Sequence, residues 1–334
     1  MYLPQDIANS DVNEQISRLR RFSDNPSGYL AVNTGNEQFY TGGIDGFVSF
    51  REVGRSWIQF GGPFAAPEDR AELLSAFLGH ARRAGRRVLA LQLQRSDAAL
   101  YAEAGLTVNQ IGASYAVSLD EFTLRGKRFV RLRNKISRAS RSGLEIAEVP
   151  AAQVRDQVES IDTLWLADKG RHVKELRFLI GEIGGSGQHE RKLFLGTIDG
   201  QPAGYISYSP VFGSRPGWLH DLSRRLPTAP PGVMEAINFH ACQQFKAGGD
   251  QWLHFGFTPF TGLDDTCETA TRSRIVKWVV DFLAEHGDFV YPSASQLEYK
   301  LKWEPQTVLP EYMAYERPFR PSLLWALLKV TNSI

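Results

Sequence analysis

Apolar positions along the chain switch repeatedly between a strand-like and a helix-like period. Residues 1–25 are polar and predict a short helix or an arm. Short apolar runs follow at Gly28–Val32, Phe47–Phe50 and Trp57–Phe60, separated by Gly, Asn and Asp clusters, and these predict strands joined by tight turns. Leu73, Leu74, Phe77, Leu78 and Ala81 then recur at helical spacing until Gly85. Val88–Leu93 predicts a buried strand, Ser96 caps a short helix ending at Gly105, and Val108–Leu119 returns to strand. The second half repeats the order. Lys192–Ile198 and Ala203–Pro210 predict a hairpin turning at Asp199-Gly200, with a strand at Trp218–Leu222. A helix starts near Gly232 with Met234, Ile237, Ala241 and Phe245 on one face, and Gly248-Gly249 stops it. Trp252–Phe257 predicts a strand. Ile275, Trp278, Val279, Phe282 and Leu283 mark a helix, and Leu297–Trp303 alternates like a strand.

The hairpin segments of the two halves are alike, GGIDGFVSF (42–50) against TIDGQPAGYISY (197–208), which points to two fused copies of one unit. The predicted class is α/β with mixed sheets. The boundaries read from the pattern are an N-terminal domain at 1–122, a connector at 123–144, a C-terminal catalytic domain at 145–318 and a tail at 319–334. A five- to seven-stranded mixed sheet with flanking helices resembles the GNAT acyltransferase fold, an analogy of fold and not of function.

The 334 residues carry a net charge of +1, so the whole molecule is no generic polyanion binder and any such affinity must be local. The connector supplies a local source. FTLRGKRFVRLRNKISRASRSGL (122–144) holds eight Lys or Arg and no acid. Phe129, Leu132, Ile136 and Ala139 form its apolar stripe, leaving Lys127, Arg131, Asn134, Lys135, Arg138 and Arg141 for RNA or lipid phosphates. The competing reading is a merely solvated face, but such helices usually mix signs. Two cysteines, Cys242 and Cys267, in no CxxC pair argue against a disulfide scaffold or a zinc site and fit a reducing cytoplasm. The start reads as no signal peptide, and the longest apolar run, Leu323–Leu328, is too short to span a bilayer.

WLHDLSRRLPTAPPGVMEAI (218–237) is the most informative stretch. Asp221 and Arg224 lie three apart at the end of a predicted strand, as a base or amine anchor beside an anion clamp; an ordinary surface ion pair is the rival. A Pro-rich turn then leads to Gly232 at a helix N-terminus, which suits an anion or an oxyanion. The pyrophosphate loop R/Q-x-x-G-x-G/A of acetyl-CoA enzymes is absent, and the prolines in its place remove N–H donors. HFGFTPF (254–260) offers Gly256 at a strand end. In LEYKLKWEP (297–305), Lys300 and Lys302 point away from Tyr299, toward a phosphate or, on the rival reading, as guards of an edge strand. The seven histidines form no HExxH pattern, His220 reads as structural, and no GxSxG elbow is present.

These segments, followed by QTVLPEYMAYERP and preceded by FGGPF (60–64), LYAEAGL (100–106) and the basic connector, occur in the order found in the C-terminal domain of phosphatidylglycerol lysyltransferases, also called lysylphosphatidylglycerol synthetases. The chain resembles that family over about residues 25–318. The resemblance implies tandem GNAT-like domains that take an amino acid from aminoacyl-tRNA and esterify a lipid hydroxyl. By position, Asp221, Arg224 and Lys300 match the polar residues of the catalytic cleft, with Gly232, Gly256, Tyr299 and Lys302 beside the substrate. Lys127, Arg131, Arg133, Lys135 and Arg138 match the tRNA- or phosphate-binding helix. Where the family often has an acid between Gly and Pro, this chain has Gly62, and where it has acids before the connector it has Ala113 and Ser114. The expected acceptor is a phosphatidylglycerol-type lipid or a small soluble hydroxyl, amine or hydroxylamine metabolite. Charged tRNA is the co-substrate, and an activated ester needs neither cofactor nor metal. The expected place is the cytoplasm, peripheral to the inner face of the membrane where lipid is the acceptor. The tail FRPSLLWALLKVTNSI (319–334) reads either as an amphipathic membrane contact or as a helix packed on the domain. Two other functions compete: an acyl-CoA-dependent N-acyltransferase, and a non-catalytic RNA- or membrane-binding module.

Overall fold

The computed structural model describes residues 11–170, 177–287 and 293–333. The first half runs α1 (Val12–Phe22), a 3-10 turn (Gly28–Val32), β1 (Glu37–Phe39), β2 (Phe47–Val53), β3 (Ser56–Phe64), α2 (Arg70–Arg83), β4 (Arg87–Leu93), α3 (Arg95–Glu103) and β5 (Thr107–Ser118). The connector forms α4 (Val130–Arg141). The second half runs β6 (Leu144–Glu148), α5 (Arg155–Lys169), β7 (Lys192–Ile198), β8 (Gln201–Val211), β9 (Gly217–Arg225), α6 (Val233–Ala247), β10 (Trp252–Pro259), α7 (Arg274–His286), α8 (Ser293–Leu301), β11 (Thr307–Tyr315) and α9 (Pro321–Val330).

Both halves share one sheet, ordered β1-β2-β3-β4-β11-β5-β10-β9-β8-β7-β6. Read inward from either edge, antiparallel strands (β1–β3 on one side, β6–β9 on the other) lead to a parallel pair (β3 with β4, β9 with β10) and then to a strand taken from the other half. β11 inserts between β4 and β5, and β5 inserts between β11 and β10, so the halves exchange their last strands. The exchange crosses the boundary read at residue 122, because β11 belongs by sequence to the second half and pairs within the first. This symmetry is what two fused copies of a GNAT-like unit produce.

Four apolar clusters cover the sheet. α2 and α3 press Leu73, Leu74, Phe77 and Tyr101 on the outer face of the first half. α4 and α6 press Leu132, Ile237, Ala241 and Phe245 on the second. α5 covers the opposite face with Val158 and Ile161. Between the halves, α1, α9 and the 3-10 turn meet β3, β4, Val211, Leu219 and Phe178 in one shared core.

Three expectations are corrected. Gly28–Val32 is a 3-10 turn with every residue buried, a short apolar run without strand pairing. Leu297–Trp303 falls in and after helix α8: Tyr299 and Trp303 stand four apart, which satisfies a helical face as well as the strand alternation that was read. In the helix, Leu301 turns outward at 48% exposure and Lys300 turns inward at 7%. β11 was not foreseen; it carries Pro310, a residue found in sheets mainly on edge strands. Here Pro310 pairs with Ala113 of β5, while β4 reaches β11 only at Tyr312. In the tail, α9 packs Leu323, Ala326 and Val330 into the shared core.

A fragment ending at residue 125 lacks the strand that separates β4 from β5. It is expected to give the circular dichroism of an unfolded chain, and a peptide of residues 305–318 added in trans is expected to restore structure. A sharp thermal transition in the fragment alone would refute a requirement for the exchange.

Candidate active site

The site forms where the parallel pair β9/β10 comes apart. The pairing runs from Gly217–Trp252 to Leu219–His254 and stops. β10 then bulges, with Gly256 at φ +66°, and stays with β5 through Phe257–Ser114 and Pro259–Gly112. β9 bulges too: its register against β8 passes from His220–Tyr208 to Leu222–Ser207, skipping Asp221. A bulge re-aims the side chain it carries.

Asp221 therefore enters the gap with its side chain 1% exposed. It accepts a hydrogen bond from the Ser209 hydroxyl, and its Oδ2 lies 3.8 Å from Arg191 Nε. Arg191 is itself buried. Its Nε donates to Ser209 Oγ at 2.9 Å, its Nη2 donates to Asn33 Oδ1, and its guanidinium lies 5.0 Å over the Tyr29 ring. Tyr29 and Asn33 come from the first half. They are fixed by the segment before β7, Tyr29 donating to the Gly187 carbonyl at 2.7 Å and Asn33 to the Ile180 carbonyl at 2.9 Å. Glu182, 3.9 Å from Arg191 Nη1, accepts from Thr34 N–H at 2.9 Å. A Cβ at Gly181 would sit 2.4 Å from the Asp221 carboxyl carbon, so that segment passes directly over the acid. Among the described residues, Arg191 Nη1 and Asp221 Oδ1 are buried with no hydrogen-bond partner. One donor and one acceptor, side by side out of water, suit a polar ligand or a reacting group. Burial pushes the Asp221 carboxyl up to about 6, against the pull of Arg191 and the Ser209 hydrogen bond.

The other sequence candidates are distributed around this center. Arg224 is not the partner of Asp221. Its Nη1 pairs with Asp162 Oδ2 of α5 at 2.8 Å and its guanidinium lies 5.1 Å over Trp165. Lys300 reaches the bulge from α8 and donates to the carbonyls of Gly256 at 2.7 Å and Phe257 at 3.1 Å, so it holds β10 away from β9. Burial lowers its pKa, and Glu311 opposes that shift. Tyr299 packs against His220 and Trp303, with ring centroids 5.8 and 6.3 Å apart. His220 faces Asn238 at 3.2 Å, and burial lowers it to about 4, a neutral packed ring.

Gly232 begins α6 at φ +99°, and a Cβ there would lie 2.1 Å from the Lys135 carbonyl. α4 thus crosses the start of α6. Glu235 ties the crossing, 3.0 Å from Lys135 Nζ and 3.6 Å from Lys302 Nζ. Arg133 is likewise committed, donating to the Leu124 carbonyl and, at 2.8 Å, to the Gly126 carbonyl. Lys127, Arg131 and Arg138 are exposed. The basic helix therefore divides into cations that hold it in place and cations that face water.

Arg191, Ser209, Asn33 and Tyr29 escaped sequence reasoning. They lie in a 3-10 turn, loops and a strand without a motif, and Arg191 meets Asn33 across 158 positions.

The family model for the C-terminal region of phosphatidylglycerol lysyltransferase matches residues 17–315. The phosphatidylglycerol lysyltransferase of Bacillus subtilis is 24% identical over 289 residues, 85% of this chain and 32% of that protein. The lysylphosphatidylglycerol biosynthesis bifunctional protein LysX of Rhodococcus jostii is 26% identical over 300 residues, 86% of this chain and 26% of that protein. The chain thus spans a third or less of these curated relatives. Two solved structures share the fold. The C-terminal domain of a putative lysylphosphatidylglycerol synthetase from Agrobacterium fabrum has a TM-score of 0.75 and 24% identity, covering 97% of this chain and 96% of that one. L-PGS from Bacillus licheniformis has a TM-score of 0.76 and 20% identity, covering 99% of each.

A raised carboxyl pKa favours the folded state only while the group is protonated. The Asp221 contribution is thus full below the unfolded value of 3.8 and is lost as pH rises through about 6. Asp221→Asn is expected to be more stable than the parent at pH 8, by up to about 3 kcal/mol for a shift of this size. The gain should vanish near pH 4; urea midpoints at the two pH values measure it.

Proposed function

The chain belongs to the phosphatidylglycerol lysyltransferase C-terminal family, and from that membership we propose that it moves an amino acid from an aminoacyl-tRNA to the hydroxyl of a phosphatidylglycerol-type lipid. The observation that carries the catalytic part of this reading is the buried Asp221 beside Arg191, at the open end of a parallel strand pair. The acceptor hydroxyl attacks the carbonyl carbon of the aminoacyl ester. Its proton passes to Asp221, largely ionised at neutral pH when its pKa is about 6. The tetrahedral intermediate expels the ribose hydroxyl of the tRNA terminus, which takes the proton back. The Arg191 guanidinium lies beside Asp221, where negative charge develops on the carbonyl oxygen. Lys300 acts by shape: by binding the Gly256 and Phe257 carbonyls it keeps the gap open.

The basic helix favours RNA as the donor's carrier. Lys127, Arg131 and Arg138 face water on an element docked through Lys135 and Glu235. The same docking disfavours coenzyme A. An acyl-CoA enzyme needs an open helix N-terminus for the pyrophosphate, and here α4 covers that of α6 at Gly232.

The test is transfer of labelled amino acids from a pool of charged tRNAs into phosphatidylglycerol vesicles. Lipid-borne label supports the reading and identifies the amino acid. Label in a water-soluble product would move the acceptor to a small metabolite. Asp221→Asn is expected to lower kcat by about 10²–10⁴-fold, the usual contribution of a general base. The rise of kcat/KM with pH through about 6 should disappear with it. Unchanged kcat in this variant would remove Asp221 as the base.

Paired Arg131→Glu and Arg138→Glu substitutions are expected to raise KM for charged tRNA while leaving kcat unchanged. Each lost phosphate contact should flatten the logarithmic salt dependence of binding by about one unit.

A further inference from the structure

Helix α7 turns an apolar stripe to the outside. Only Val280 is buried, while Ile275, Trp278, Val279 and Phe282 are 77%, 66%, 41% and 45% exposed. These positions fall at i, i+3, i+4 and i+7, one face of the helix. The Trp278 and Phe282 rings stack at 5.9 Å, and Phe282 stacks on His286 at 4.9 Å. α9 shows the same on its outer side, where Leu324 and Trp325 are each 48% exposed, while its inner side is packed.

The two helices start from one place. Arg317, just before α9, donates to the Thr271 carbonyl, just before α7, at 2.9 Å. Arg272, Arg274 and Arg320 stand exposed around this tie. Neighbouring carboxylates already have cations: Glu316 has Arg82 at 3.0 Å, and Asp265 and Asp281 share Lys277 at 2.9 and 2.7 Å. From Arg317 to the last residue the chain holds no Asp or Glu. The root of the two stripes is therefore cationic, and the stripes themselves are aromatic and aliphatic.

We propose that the outer faces of α7 and α9 dock the protein on an anionic bilayer, their apolar stripes entering the headgroup–acyl boundary and the arginines at their root meeting lipid phosphates. The proposal rests on the lipid-acceptor reading above and says how the enzyme reaches its acceptor. Amphipathic helices with tryptophan and phenylalanine outward and cations beside them bind this boundary, and basic residues add attraction to an anionic leaflet. Among the described residues no helix is long and apolar enough to cross a membrane, so this contact is with the surface. A second copy is the weaker occupant, because twofold pairing through this patch would bring two sets of the same arginines together.

The test is flotation of the full chain with vesicles of equal parts phosphatidylglycerol and phosphatidylcholine, against vesicles of phosphatidylcholine alone. The wild type is expected to float with the anionic vesicles, to do so less in high salt, and to shift its tryptophan emission to the blue. Trp278→Glu with Phe282→Glu is expected to weaken vesicle binding by about tenfold or more, since each ring withdrawn from the boundary is worth about that factor. Trp325→Glu should weaken it further. Transfer to a short-chain phosphatidylglycerol dispersed as monomers should persist in these variants, which separates loss of docking from loss of catalysis. If no variant and no wild type transfers to any lipid, the acceptor reading fails while the vesicle result still stands. Failure of the wild type to float, or equal flotation of the variants, would overturn the proposal. A concentration-dependent dimer in gel filtration, abolished by Trp278→Glu, would assign the face to a second copy.

Discussion

The ladder between β5 and β11 is the constraint on which the rest depends. It runs antiparallel from Thr307–Ala116 to Tyr315–Thr107, and each strand also serves the other half. Because β5 pairs with β10 on its far side, it draws β10 along as far as Pro259–Gly112. β9 has no such partner beyond Leu219. The two parallel strands must then separate, and the bulge at Asp221 delivers a carboxyl into the opening. The position of the acid thus follows from a strand exchange, with Lys300 fastening the diverging edge through two backbone carbonyls.

Burying Arg191 and Asp221 together is costly in a small protein core, and an ion pair of this kind adds little net stability. Its hydrogen bonds are also incomplete, which sharpens the cost. An arrangement that serves stability alone would pair the two groups bidentately; here they stand 3.8 Å apart, with Ser209 hydrogen-bonded to both. Among the described residues this leaves one donor and one acceptor open beside each other. The same logic separates Arg224 from the site: its charge is answered by Asp162, which also accepts from Tyr205 at 2.6 Å.

Much of this was legible in the sequence where local pattern decides structure. Helices α2, α6 and α7 and strands β2, β3, β4, β7, β8, β9 and β10 announce themselves by period, and the basic connector by composition. Asp221 drew notice beside Arg224 at the end of a strand, and Lys300 on the charged side of an apparent alternation. What was not legible depends on distant contact. The fold of Gly28–Val32 is set by packing across the shared core, and β11 is stabilised by two strands that precede it by about two hundred residues. The role of Arg191 exists only once Tyr29 and Asn33 arrive from the other half. The Asp221–Arg224 pairing read from spacing fails because a bulge changes which way each side chain turns.

The internal symmetry raises the question of why the first half does not hold a second site. Its parallel pair also ends early, at Phe60–Leu91, and Gln92 bulges there at φ +52° as Gly256 does in β10. The corresponding space is filled from within. Gly62 lies against the Asp97 carboxylate, which a Cβ at that position would meet at 2.1 Å. Asp97 is buried, pairs with Arg70 and accepts from the Gln94 N–H at 2.8 Å, capping α3. Burial raises its pKa while Arg70 pulls it down. An acid supplied by α3 thus occupies the space beside Gly62. Since it is spent on Arg70 and a helix cap, this carboxylate is a structural plug. The first half contributes to the candidate site differently, by lending Tyr29 and Asn33 to hold Arg191. Among the described residues, the duplication thus leaves one half with a buried acid beside an unfilled acceptor and donor, and the other with its acid tied into a helix cap.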